Sequence, residues 1–175
     1  MLKHSEVKDD IQMIVNRMAN GDLELASPKK ALLISSLYTL PCTLLHSLIA
    51  IYLYSFISHS TMILWSFLFV TVFSIGITLI SYPNSLVYLS LPSTIRETSV
   101  VIKKIRKTYL NVVKAVVAVN FLAVASVFIN PEYVIAVFVV FVIGFFVTQL
   151  VLGAEMSRYG IGAVMEKTSS LMRKV

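Results

Sequence analysis

Hydrophobic positions in this chain fall into two long runs, and charged residues mark their limits. From Ala31 to Ile95, 65 consecutive residues include no Asp, Glu, Lys or Arg. From Ala115 to Ala154 the one charged side chain is Glu132, beside Pro131. A hydrocarbon core about 30 Å thick takes about 20 apolar residues per helix, so each run has the length of two spans and a turn. The expected spans are about 31–57, 61–82, 110–130 and 133–152, with turns at Ser58-His59-Ser60 and Asn130-Pro131-Glu132. Outside the runs the pattern becomes amphipathic. Val7, Ile11, Ile14, Val15 and Met18 make a helical stripe within residues 5–19, opposite Lys8, Asp9, Asp10 and Arg17. Ser5 is a plausible N-cap and Gly21 a C-terminal stop, and Asp22 to Ala26 reads as an extended linker.

Local signals refine the elements. Ser27-Pro28 is a cap followed by proline at the first helical position, and Lys29 and Lys30 mark the headgroup level. Pro41 is expected to bend the first span, which bilayer helices tolerate when neighbours satisfy the freed carbonyl. Pro83-Asn84 is expected to kink or end the second, with Ser85 to Leu91 continuing it or lying at the interface. Thr94 and Glu97 have capping-box spacing, and no breaker follows before Pro131. That predicts a rod of about 54 Å from Ile95 to Asn130. In its first half Ile102, Ile105 and Tyr109 alternate with Lys103, Lys104, Arg106 and Lys107; its second half is the third span. The fourth span is expected to end near Gly153. Met156, Val164, Leu171 and Val175 then form a thinner stripe.

The predicted fold class is all-α: a polytopic membrane protein with four transmembrane helices and N-terminal, central and C-terminal cytoplasmic helical segments. Residues 1–26 are the cytoplasmic amphipathic helix and linker. Residues 27–153 are the bundle, including the basic segment 93–109, and residues 154–175 the C-terminal helix.

Composition supports this reading. The chain is 57% hydrophobic, with a mean hydropathy of +0.83, outside the range of soluble domains. A net charge of +6 would suggest nucleic acid in a soluble protein. Here all 15 Lys and Arg lie in 1–30, 93–114 and 154–175, and none lies in the two turns. The positive-inside rule places both termini and the central segment in the cytoplasm. The same placement argues for anionic lipids as partners and against nucleic acid. No signal-peptide apolar region precedes the first span, which is expected to insert as an uncleaved anchor.

Candidate chemistry is sparse. His4, His46 and His59 share no metal-ligand spacing, so neither a metal nor a cofactor is expected. Cys42 lies within a span and has no second cysteine to pair with. His46 could relay a proton, but its simpler role is to hydrogen-bond a neighbouring helix. Asn120 and Gln149 read the same way, as intramembrane polar packing. Small residues at Ala115, Ala118, Ala123, Ala125 and Ser126 allow close approach of helices and leave a homo-oligomer open. Glu132 fits a cap on the fourth helix, where the dipole favours negative charge. No nucleophile elbow, P-loop or zinc-helix motif is present, and the spans contain no Asp, Glu, Lys or Arg. These features point away from enzymes and ion-coupled transporters.

Four short stretches carry a family resemblance. They are Asn20-Gly21-Asp22-Leu23 before the first span, Ser90-Leu91-Pro92 with Glu97-Thr98-Ser99-Val100, Thr148-Gln149-Leu150, and Arg158-Tyr159 with Gly162. Together, and in this order, they resemble the TraS entry-exclusion proteins of F-type conjugative plasmids. The resemblance implies a non-enzymatic inner-membrane protein of the recipient cell. Such a protein blocks redundant conjugative DNA transfer by recognising the donor's cognate TraG, a component of its mating apparatus. The resemblance brings no catalytic residues with it. A standard interface takes about 800 Å² per partner, more than the outer turns provide. The partner surface is therefore expected on the cytoplasmic faces or in lateral contacts within the membrane. The candidate is the basic part of the long helix with the C-terminal helix, with Arg96, Lys103, Lys104, Arg106, Lys107, Arg158 and Tyr159 as candidate contacts. The alternative is that these helices only pack on each other and on anionic headgroups. The other readings are a small transporter or channel with His46, Asn120 and Gln149 along its path, or an accessory subunit of a larger membrane complex.

Overall fold

A computed structural model describes residues 4–19, 24–56 and 61–160, and among them it is all helix and turn, with no strand. The helices among these residues are α1 (His4–Ala19), α2 (Pro28–Ser35), α3 (Thr39–Phe56), α4 (Thr61–Ser90), α5 (Ser93–Thr98), α6 (Val100–Ser126) and α7 (Val134–Arg158), with a 3₁₀ turn at Pro131–Tyr133. Among the described residues three helices are long and apolar enough to cross a membrane: α4, α6, and α7 with the 3₁₀ turn before it. They make this a membrane protein. A fourth apolar element is the pair α2 and α3, bent by 59°.

Prolines and hydroxyls explain where these helices start and stop. The Ser27 carbonyl accepts the Ala31 N–H at 3.0 Å, so α2 begins where Ser27-Pro28 predicts. The bend expected at Pro41 falls instead at Ser36–Tyr38. Proline lacks an N–H, and its ring clashes with the carbonyl four residues earlier. That carbonyl is Leu37, so the damage lies one turn before the proline. Pro83 does not stop α4, which continues to Ser90. Neither does α7 end near Gly153; it runs on to Arg158, and Gly160 follows at φ +67°. Only glycine adopts that left-handed geometry freely.

The expected 36-residue rod is two helices, not one. Ser99 leaves helical geometry at φ −59°, ψ 123° and separates α5 from α6. Its hydroxyl accepts the Ile102 N–H at 3.0 Å, the bond of an N-cap residue. At the far end α6 stops at Ser126, and Val127, Phe128 and Ile129 tighten into i→i+3 bonds. Asn130, not Glu132, caps the turn that follows: its Oδ1 accepts the Glu132 N–H at 3.0 Å. The proposed stop at Gly21 and the C-terminal helix beyond Gly160 lie outside the described residues.

The chain divides into two compact units. Unit 2 comprises residues 35–81 and 111–149. It draws its core from α3 (Ile49, Ala50, Leu53), α4 (Ile63), the end of α6 (Val124) and the turn after it (Val127), and α7 (Val134, Val137). Its outward side chains are large and apolar, among them Leu44, Leu48, Leu68, Val72, Phe121, Leu122 and Phe146. A surface of that extent would be a liability in water, but it suits hydrocarbon. Unit 1 comprises 1–34, 82–110 and 150–175. Its core is Ile14 of α1, Leu91, Ile95 of α5, Val101 and Ile102 of α6, and Tyr159.

Candidate partner surface and the polar seams

In unit 1, carboxylates from the N-terminal part of the chain seal helix ends far away in sequence. Asp10 of α1 accepts the Ser99 hydroxyl at 2.6 Å and the Val101 N–H at 3.0 Å. The first N–H groups of a helix have no partner within it, so α1 completes the start of α6. Glu24 does the same for α5. It accepts the Ser93 N–H at 2.6 Å and an Arg96 Nη2–H at 2.9 Å, while its own N–H donates to Ser90 O. The capping box expected of Thr94 and Glu97 does not form; Thr94 Oγ1 instead accepts from Arg17 Nη1 at 3.0 Å. Apolar contacts from Val7, Ile11, Met13 and Val15 complete the docking of α1.

Two results can be expected from these caps. Asp10→Ala should lower thermal stability by about 1–2 kcal/mol, the range for losing a helix cap, and hydrogen exchange at Val101 should speed up. Glu24 carries a pH dependence. The Ser93 N–H, then the Arg96 charge, hold its carboxyl below the usual value of 4.5. A carboxyl depressed in the folded state stabilises fully above its unfolded pKa and loses that contribution as pH falls through the folded one. The loss therefore lies below pH 4.5, and Glu24→Gln should flatten that part of the profile while leaving the remaining carboxylates to titrate. Melting in detergent at neutral and acidic pH, wild type against variant, measures the difference.

The candidate contact residues separate into two groups. Lys103, Lys104, Arg106 and Lys107 are exposed on the face of α6 opposite Val101 and Ile102. Arg158 is exposed too, 3.8 Å from Glu155. Tyr159 is only 7% exposed and belongs to the core, its ring beneath the Arg158 guanidinium at 5.6 Å. Arg96 is held by Glu24 and lies 5.9 Å from the Tyr88 ring centre. Tyr159 thus packs in the core of unit 1 and Arg96 is engaged by Glu24, which leaves the others as the exposed candidates. Asp10, Ser99 and Glu24 were not foreseen in these roles. Ser99, directly before the apolar pair Val100-Val101, carried a readable cap signal; Asp10 and Glu24 did not.

In unit 2 the polar side chains are buried against neighbouring helices. Between α3 and α4, Thr39 bonds Thr78 at 2.8 Å, Thr43 bonds Ser74, and His46 Nε2 bonds Ser66 at 2.9 Å. His46 is 1% exposed, and its Nδ1 has no hydrogen-bond partner among the described residues. Asn120 is equally buried and donates to Val116 O of its own helix at 3.0 Å. Tyr38 donates its hydroxyl to Phe141 O. Gln149 is half-buried. Among the described residues no three of His, Cys, Asp and Glu cluster to hold a metal.

Comparison with family models, curated proteins and solved structures returns no match for this chain.

Proposed function

We propose that this is an entry-exclusion protein of the TraS type, acting in a recipient's inner membrane through a donor's TraG-like protein. On this reading α2 and α3 form one bent span, so the chain crosses four times, with both termini and the basic segment 93–109 in the cytoplasm. The concentration of Lys and Arg in the segments of unit 1 supports that orientation.

The observation that carries the proposal is where the family-like residues lie. Leu91 and Tyr159 belong to one core, Ser99 caps α6 beside them, and Ser90 O holds Glu24. Of the family-like residues that the structure describes, Ser90, Leu91, Ser99 and Tyr159 meet in unit 1, while Thr148 and Gln149 belong to unit 2. The exposed partner surface that remains is Lys103, Lys104, Arg106 and Lys107 with Arg158.

The test is a mating assay. Recipients expressing this protein alone should receive the cognate plasmid far less often than recipients with empty vector, and a non-cognate plasmid equally often. Equal transfer of the cognate plasmid into both recipients would end the proposal. Alkaline phosphatase fused after Arg158 should be inactive; activity there would reverse the orientation.

A further inference from the structure

The basic face of α6 deepens that reading, and rests on it, because its geometry selects the chemistry of the partner. Helix α6 has no Asp or Glu anywhere in its 27 residues. Lys103, Lys104, Arg106 and Lys107 crowd its first turns, and among the described residues none pairs with a carboxylate. Cations near a helix N-terminus oppose its dipole, and like charges three or four apart repel. A local choice that works against the helix is expected where function requires it.

Two sources of negative charge are poor fits. The first is the lipid headgroups. The innermost charge on α6 is the exposed Lys114, and from Ala115 on the helix is apolar. At 1.5 Å per residue Lys103 and Lys104 stand about 15–17 Å along the axis from Lys114. The headgroup layer is about 5–8 Å deep on each side. Even a tilt of about 40° leaves a rise of about 12 Å. Helical side chains also lean toward the N-terminus, which here is away from the bilayer. The second is single-stranded nucleic acid, which is usually held by exposed aromatic rings among the cations. Here Tyr109 is half-buried and Tyr159 lies in the core.

We infer that Lys103, Lys104, Arg106 and Lys107 form a docking face for an acidic polypeptide segment of the partner, held clear of the headgroups. The full-length protein in phosphatidylcholine nanodiscs is titrated against a fluorescent poly-glutamate peptide and followed by anisotropy. K103Q/K104Q/R106Q/K107Q should weaken binding at least about tenfold, as four exposed charge pairs acting together would. K29Q/K30Q should bind as wild type. Reversing the face with K103E/K104E/R106E/K107E should exchange poly-glutamate binding for poly-lysine binding, which a misfolded variant would not do.

The inference is overturned if wild type does not bind the peptide, or if both glutamine variants lose it equally. It is also overturned if oligo-thymidine displaces the peptide more readily than unlabelled poly-glutamate does, or if phosphatidylglycerol in the disc abolishes binding. The mating assay separates the two claims. A wild type that binds the peptide but does not exclude removes the exclusion reading and leaves the acidic-segment face standing. A glutamine variant that loses the peptide yet excludes normally removes this face and leaves the exclusion reading standing.

Discussion

Gly144→Ala is expected to destabilise unit 2 by about 1–3 kcal/mol, the range for overpacking a filled core, and Gly144→Leu to prevent its folding. A Cβ at Gly144 would sit 2.3 Å from Val116 Cγ1 and 2.8 Å from the Tyr38 hydroxyl. Neither atom can retreat easily. Val116 is β-branched and stiff at χ1 in a helix. The Tyr38 hydroxyl is committed to Phe141 O, and its ring is stacked on that of Phe141 at 5.4 Å. Thr148 Oγ1 donates to Gly144 O at 2.8 Å, so this stretch of α7 is fixed from its own side as well. Thermal unfolding in detergent reads the loss, and a double-mutant cycle identifies its cause. Val116→Ala removes the colliding methyl group, so Gly144→Ala should cost less in that background. Strict additivity would mean the collision is not what destabilises the variant.

Leu91→Ala should lower the stability of unit 1 by about 2–5 kcal/mol, as for buried leucines elsewhere. Leu91 lies between α4 and α5, 1% exposed, against Ile14, Ile95, Val101, Ile102 and Tyr159. Its truncation leaves a void where α1, α5, α6 and the residues after α7 meet. Faster protease cleavage within α1 and faster exchange of α1 amides would report it. Protection equal to wild type would mean that α1 is held by its polar contacts alone.

The apolar spans were legible because hydrophobic length is a local property that a bilayer reads directly. The exposure of Lys103, Lys104, Arg106 and Lys107 followed equally simply from helical register against Val101, Ile102 and Ile105. The packing of Tyr159 was signalled too: it stands three residues from Met156, on the same apolar stripe. Pro41 announced a break but not its position, because the steric conflict falls on the carbonyl of Leu37. The single rod predicted from Ile95 failed at Ser99 because two start signals compete within six residues. Which one prevails depends on Asp10, and no window of sequence around Ser99 contains it.

That separation has a consequence during synthesis. Asp10 and Glu24 meet partners 69–91 residues further along the chain. At about 5–20 residues per second the ribosome needs several seconds to deliver them. For that interval α1 has no surface to dock on, and its apolar stripe is available to the bilayer or to a chaperone. A chain released before Val101 emerges would leave its first helix without an acceptor, an easy mark for quality-control proteases.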